Sequence, residues 1–328
     1  MDVVCSVVKP DALGDVISLL YGWDSGTVLK LLKTGINHTY LANSNEHKHI
    51  VRVYTHAWRS REQIQEELNF CKYLHKQGLS VSYPIPDLNS NYIQDIATPE
   101  GLRYVVVWSW ADGIKSQQHH EDTHFNAGKW LADLHSNSRG YHFNSRLDLT
   151  KPTQWDWAFT EIFNRIEPTH HQWAWLKKLQ SQLHLKLNQL PTHLFSTGVI
   201  HADFWFDNFH VSETRLTVFD FDFASNGWLA MDVAYYQMQL RSMEPDTHKF
   251  ESKWSAFMEG YHFGKGHLTP DEVAALPVLG LCLLVFYLGV QCNRFNFWTS
   301  SFLNEVYLSR YLEVFIGRQA KIAQLHLD

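Results

Sequence analysis

The chain has 328 residues, a formal net charge of −6 and 45% hydrophobic residues, a composition that excludes a disordered, collagen-like or low-complexity polypeptide. Lys and Arg number 28 against 34 Asp and Glu, so the basic surplus needed to hold a nucleic acid polymer by its phosphates is missing and no such partner is expected. At this length two full cores can be buried, and about two domains are expected.

The segment from Asp11 to about 22 has an apparent capping residue and helical apolar spacing, and predicts a short leading helix. Three short runs rich in β-branched, Leu and Tyr residues follow, Thr27 to Leu32, His38 to Ala42 and His49 to Tyr54. They are separated by turn residues at Thr34-Gly35-Ile36-Asn37 and Asn43-Ser44-Asn45-Glu46, which predicts an antiparallel meander. Ser60-Arg61-Glu62-Gln63 has the form of a capping box and opens a helix that Gly78 closes. Leu88 to Gln94 and Leu102 to Trp110 read as two more strands, and Ala111-Asp112-Gly113 as a hinge.

Beyond the hinge the pattern turns helical, at about 122–137, 154–165, 171–190, 230–242, 249–261, 271–290 and 301–318. The exception lies between Val199 and Phe223, where short apolar runs are broken by His, Asp and Asn. The expected architecture is α+β: a small antiparallel β-sheet lobe with one helix over residues 1–110, then a large, mostly α-helical lobe over 111–328.

Cys5, Cys71, Cys282 and Cys292 are scattered without a C-x-x-C pair, as expected of reduced thiols in a cytoplasmic protein. Met1-Asp2-Val3-Val4-Cys5 lacks the cationic start and apolar stretch of a secretory signal. Val273 to Val290 carries no charge and reaches the lower length limit for a spanning helix. It contains Pro277, Gly280 and Gly289 and has no flanking Lys/Arg cluster, so a buried core helix is expected and no membrane partner.

The chemistry is concentrated in the non-helical insert. His201-Ala202-Asp203 and Asn208 fit H-x-D-x4-N, and a short apolar run then ends in Phe219-Asp220-Phe221-Asp222. Phosphoryl transfer to an alcohol needs a carboxylate that orients the hydroxyl and accepts its proton, a role that suits Asp203. It also needs hard oxygen donors for Mg2+ at the triphosphate of ATP, and Asn208 with Asp220 supply an amide oxygen and a carboxylate.

With these residues in place, the sequence resembles the aminoglycoside phosphotransferase and choline kinase family, whose fold is the bilobal protein-kinase-like one. It looks most like the branch of homoserine kinase type II, hydroxylysine kinase and stress-response kinase. The resemblance also rests on Val51-Arg52-Val53-Tyr54, Glu67-Leu68, Gly128-x-x-Leu131-Ala132-x-Leu134-His135, Gly227, Asp232-Val233-Ala234 and Phe257-x-x-Gly260-Tyr261. It implies that Asp203 is the catalytic base, that Asn208 and Asp220 hold Mg2+, and that Arg52, paired with Glu67, binds the α/β phosphates. Arg stands where protein kinases carry Lys, so the charge is kept and the geometry differs. Ala202 stands where the family commonly has Gly. Gly35, Asn37 and Thr39 fall at the phosphate-covering turn, which also reads as an ordinary hairpin, and adenine is expected against the strand at Trp108 to Trp110.

His201 is expected to organise the loop, Asp222 to touch the metal or be satisfied by nearby backbone, and Asp232 to cap its helix or brace the loop. The histidines at 119, 120, 124, 170 and 171 are expected to be solvated rather than metal-binding. The expected activity is transfer of the γ-phosphate of ATP to a hydroxyl of a small, amine-bearing metabolite. A stress-response type protein Ser/Thr kinase and a non-catalytic nucleotide-binding pseudokinase are the alternatives. Against the former, no long activation segment ending in A-P-E follows Asp220.

Overall fold

The computed structural model describes residues 2–24, 27–43, 48–115, 120–213, 215–294 and 304–327. The turn residues Ser44, Asn45 and Glu46, His119, and positions 301–303 of the last expected helix lie outside the described residues. The chain divides into two compact units, one formed by residues up to Ile114 together with Phe209–Asp220, the other by Lys115–Asn208 and the residues from Phe221 onward.

The first unit begins with helix α1 (Pro10–Tyr21). Its start differs from the expected one: Lys9 is the N-cap and makes no side-chain cap, while Pro10 opens the helix with its preset φ and Asp11 lies in the first turn. Strands β1 (Val28–Thr34), β2 (His38–Asn43) and β3 (Lys48–Val53) form the antiparallel meander, with a register shift between Leu31 and Lys33. Helix α2 (Arg61–Lys76) has the full capping box, Ser60 accepting from the Gln63 amide and Gln63 bonding back to Ser60. Gly78 follows its end with φ +87°, a left-handed conformation that glycine adopts without a steric cost.

Strand β4 is only Pro84–Ile85, and β5 (Gln94–Thr98) and β6 (Gly101–Ser109) complete a six-stranded sheet in which β6 pairs with β3, β4 and β5. The strand expected at Leu88 to Gln94 is instead a turn. Asp87 Oδ1 accepts from the amides of Asn89 and Asn91 at 2.9 and 2.7 Å, and its Oδ2 accepts from Gln94 Nε2 at 3.2 Å. This side chain takes the amides that a sheet ladder would need, so pairing begins only at Gln94. The hairpin β8 (Phe209–Val211) and β9 (Leu216–Val218) belongs to this unit, and the Val218 carbonyl accepts from Ser82 N at 2.8 Å.

The second unit holds α3 (Glu121–Ser138), α4 (Pro152–Arg165), α5 (Trp173–Gln189) and the strand pair β7 (Thr197–Ile200) and β10 (Ser225–Trp228). Helices α6 (Ala230–Met243), α7 (Thr247–Phe263) and α8 (Pro270–Asn293) follow. After α9 (Glu305–Arg310) a π-helical turn at Tyr311–Gly317 leads into α10 (Arg318–Ile322). Helices α3 and α7 meet at two glycines: a Cβ on Gly128 would overlap the Phe257 carbonyl, and one on Gly260 the Phe125 carbonyl. Backbone-to-backbone contact at these points requires the absence of a side chain.

Helix α8 is long and apolar enough to cross a membrane, and 78% of its most apolar window is buried inside the protein. It packs against α4, α5 and α6, and its all-round apolar surface suits a helix enclosed by others. Its Thr269–Glu272 capping box fixes the start, and Gln319 Nε2 donates to the carbonyl of Pro277 at 2.9 Å.

Candidate active site

In the first unit, Arg52 lies in the middle of β3, opposite Thr39 on β2 and Val106 on β6. Its guanidinium donates through Nη2 to Asp220 Oδ1 at 2.8 Å and through Nη1 to Glu67 Oε1 at 3.3 Å. Glu67, on α2, is fully buried and also accepts from the Tyr54 hydroxyl at 3.1 Å. A buried carboxylate of this kind is held charged only by such donors. Asp220 stands at the end of the run after β9 with φ +67°, a sparsely allowed conformation for a side-chain-bearing residue.

The Arg52 guanidinium also sits 5.5 Å from the ring centre of Trp108 on β6, close enough for a cation–π interaction. The indole N–H of Trp108 is buried without a hydrogen-bond partner. Trp110 is differently placed: its ring receives Lys48 Nζ at 3.5 Å and lies 5.5 Å from the His210 ring. The turn between β1 and β2 carries Gly35 and Asn37. Gly35 N donates to the Asn37 carbonyl at 3.1 Å, Asn37 Oδ1 accepts from Thr55 N at 3.3 Å, and the Thr55 hydroxyl bonds to the Ile36 carbonyl.

In the second unit, the strand β7 delivers the chain into His201-Ala202-Asp203. Asp203 Oδ2 accepts from Asn208 Nδ2 at 2.7 Å, and the same nitrogen bonds to the Asp203 carbonyl at 2.8 Å. Asn208 stands on a single 3-10 turn, Phe206–Asn208. With its nitrogen committed to Asp203, the Asn208 side chain has its oxygen left as a hard donor, which fits a divalent ion. Asp203 Oδ1 accepts from the Tyr235 hydroxyl at 2.7 Å. Burial, and next the nearby Asp203 charge, push the Tyr235 phenol well above its ordinary range, so it stays a neutral donor.

The loop backbone is braced from α6. Asp232, fully buried, accepts from the amides of His201 at 2.9 Å and Ala202 at 2.7 Å, and from His135 Nε2 at 3.3 Å. His135 is fixed in turn by the Tyr261 hydroxyl, 2.8 Å from its Nδ1. His201 Nδ1 accepts from the Asp203 amide at 3.2 Å, and its ring packs 4.5 Å from Phe221. His201 therefore shapes the loop. Ala202 carries φ +61°, which accounts for the usual glycine at this place.

Asp222 is buried on the 3-10 turn Phe221–Phe223, and Arg146 donates to the carbonyls of Phe221 and Ala224 at 3.2 and 2.7 Å and to that of Asp222. Among the described residues no group of three or more His, Cys, Asp or Glu is arranged to hold a metal. His124 is buried and bonded to the Tyr236 hydroxyl at 2.8 Å rather than solvated. Tyr235, Tyr287 and Arg146 gave no motif signal, because their partners lie tens of residues away in the chain.

A sheet unit with a buried Arg–Glu pair and a helical unit with a braced Asp–Asn loop define a kinase-like phosphotransferase. The model of the Phosphotransferase enzyme family matches residues 28–268, and the chain belongs to this family. The homoserine kinase of Rhodopseudomonas palustris (strain BisA53) is 28% identical, covering 82% of this chain and 80% of its own. An amicoumacin kinase solved in complex with AMP-PNP, Ca2+ and Ami superposes with a TM-score of 0.77 at 19% identity, covering 97% of this chain and 93% of its own. A microcompartment-associated aminopropanol kinase superposes with a TM-score of 0.70 at 20% identity, covering 97% and 100%. The fold is protein-kinase-like, with a small β-rich lobe and a helical lobe, and the chain is a phosphotransferase.

Proposed function

We propose that the protein transfers the γ-phosphate of ATP to a hydroxyl of a small, amine-bearing metabolite, with Asp203 as catalytic base. The observation that carries this reading is the Asp203 carboxylate, each of whose oxygens accepts a hydrogen bond at 2.7 Å from a neutral side chain. Such a carboxylate keeps its charge and its direction, and its remaining lone pairs can orient an incoming alcohol. As the oxygen–phosphorus bond to ADP breaks and that to the alcohol forms, the alcohol proton passes to Asp203.

Mg2+ would be held by Asn208 and Asp220, both hard oxygen donors, and when bound it neutralises charge on the β and γ oxygens. Arg52, oriented by Glu67, binds the α/β phosphates, and Gly35, Asn37 and Thr39 lie at the turn assigned to cover them. Adenine is assigned to the strand end at Trp108 and Trp110, and residues 1–110 to nucleotide binding. The helical residues 111–328 supply the base and the acceptor site. His201, Asp222 and Asp232 support the loop.

The amine-bearing acceptor class is supported by relatives named for homoserine and aminopropanol. Cytoplasmic action is supported by four cysteines that form no disulfide, three of them buried. The test is ADP release from Mg-ATP across homoserine, 1-amino-2-propanol, other amino alcohols and sugars. Turnover by the wild type that Asp203→Asn abolishes is the expected result. Equal turnover by both proteins would overturn the assignment of Asp203, and Mg-ATP binding without turnover on any acceptor would favour a nucleotide-binding scaffold.

A further inference from the structure

The catalytic loop receives two tyrosine hydroxyls from two different helices. Tyr235 of α6 donates to Asp203 Oδ1 at 2.7 Å, and Tyr287 of α8 donates to the Ala202 carbonyl at 2.6 Å. The two rings lie 5.4 Å apart, and Phe223 packs 5.0 Å from Tyr287. Tyr235 is three residues after Asp232, so both project from the same face of the first turns of α6. One helix end thus holds the loop twice, Asp232 gripping the backbone amides of His201 and Ala202 and Tyr235 gripping the Asp203 side chain.

Asn208 and Tyr235 differ in what they can fix. Asn208 also bonds to the Asp203 main chain and is itself assigned to the metal, so its position follows the loop. Tyr235 is anchored in a helix and almost fully buried, and its ring has no freedom to follow the carboxylate. A carboxylate hinged on one donor can turn about its χ angles; with a second donor on the other oxygen it is fixed in one plane.

We propose that Tyr235 is a positioning residue for phosphoryl transfer, its hydroxyl setting the plane of the Asp203 carboxylate and so the direction from which it meets the acceptor alcohol. The proposal rests on the reading of Asp203 as the base. Effective reaction requires the alcohol oxygen and its proton acceptor to be aligned before bond formation, and losing that alignment lowers turnover without loosening the nucleotide.

The experiment compares wild type, Tyr235→Phe, Asp203→Asn and the double variant for ADP release from Mg-ATP, using the acceptor panel above and water. For Tyr235→Phe kcat is expected to fall about 10- to 100-fold with the KM for Mg-ATP within about 3-fold. Adding Tyr235→Phe to Asp203→Asn is expected to cause no further loss, because the tyrosine acts only through that carboxylate. Unchanged kcat in Tyr235→Phe, or an additive loss in the double variant, would overturn the proposal. Wild-type turnover in Asp203→Asn would refute the base itself, a different failure visible in a different protein. Should Tyr235→Phe not fold, 2,3-difluorotyrosine at position 235 keeps both ring and hydroxyl. Fluorination lowers the phenol pKa, so turnover lost at a lower pH than in wild type supports the donor role, and a wild-type pH profile in the folded variant rejects it.

Discussion

Arg52 donates to Asp220 Oδ1 at 2.8 Å with one guanidinium nitrogen while another reaches Glu67 at 3.3 Å. A lysine has a single ammonium on a stem of different length and cannot span the two carboxylates with a planar fork. The bridge therefore links the residue assigned to the phosphates with one assigned to the metal.

Arg52→Lys is accordingly expected to keep the fold and weaken Mg-ATP binding by about 10-fold, a change of about 1.4 kcal/mol. Titration calorimetry with Mg-ATP checks it. Affinity equal to wild type would show that charge alone suffices at this position.

The brace beneath the loop is expected to matter for stability as much as for turnover. In Asp232→Asn an amide nitrogen must face one of the backbone N–H groups that now meet carboxylate oxygens at 2.7 and 2.9 Å. Leaving a buried donor unmatched and losing the charge costs about 3 kcal/mol. Urea midpoints measure this directly, and a loss under about 1 kcal/mol would contradict the account.

The left-handed backbone of Ala202, at φ +61°, sets a contrast between two substitutions. Glycine accepts this conformation, and its gain is offset by the lost methyl burial and a freer unfolded chain, so Ala202→Gly should lie within about 1 kcal/mol of wild type. A β-branched side chain at positive φ is strained, and Ala202→Val should cost more than about 2 kcal/mol. Thermal unfolding of the two variants side by side separates them.

At the crossing of α3 and α7, Gly128→Ala and Gly260→Ala each drive a methyl into a backbone carbonyl. No side-chain rotation relieves this, so each should cost about 3 kcal/mol or prevent folding. Normal expression and a wild-type melting temperature for either variant would disprove the close approach.

Acid sensitivity is expected from His38, buried in β2 beside Arg103 and Glu100. Burial first, and then the Arg103 charge, bring its pKa down to about 4 from 6.5. Above the unfolded pKa the histidine is neutral in both states. As pH falls from about 6.5 to about 4 only the unfolded chain takes up the proton, so stability drops over that window by roughly 3 kcal/mol. Urea melts at pH 7 and pH 4.5 should show this fall in wild type and a shallower one in His38→Gln.

Periodicity and turn chemistry by themselves located the meander, the capped helix α2 and the helical remainder, because each depends on neighbours within a few residues. The reading failed at residues 88–93, where Asp87 diverts the backbone amides, and at the start of α1, where proline rather than a side-chain cap begins the helix. At the candidate site the local spacing H-x-D-x4-N already put Asp203 and Asn208 within reach of each other, since five residues of tight loop bring them together.

Long-range partners are a different matter. Arg52 and Asp220 are 168 positions apart, Tyr235 and Asp203 32, and Tyr287 and Ala202 85. A tyrosine reads as core in any apolar helix, and only packing decides whether its hydroxyl ends against a carboxylate. The amino-acid sequence by itself determined which side chains could carry charge and accept a proton. Which of them are held still, and by what, was decided by the tertiary structure, because orientation depends on donors supplied by helices that the chain reaches much later.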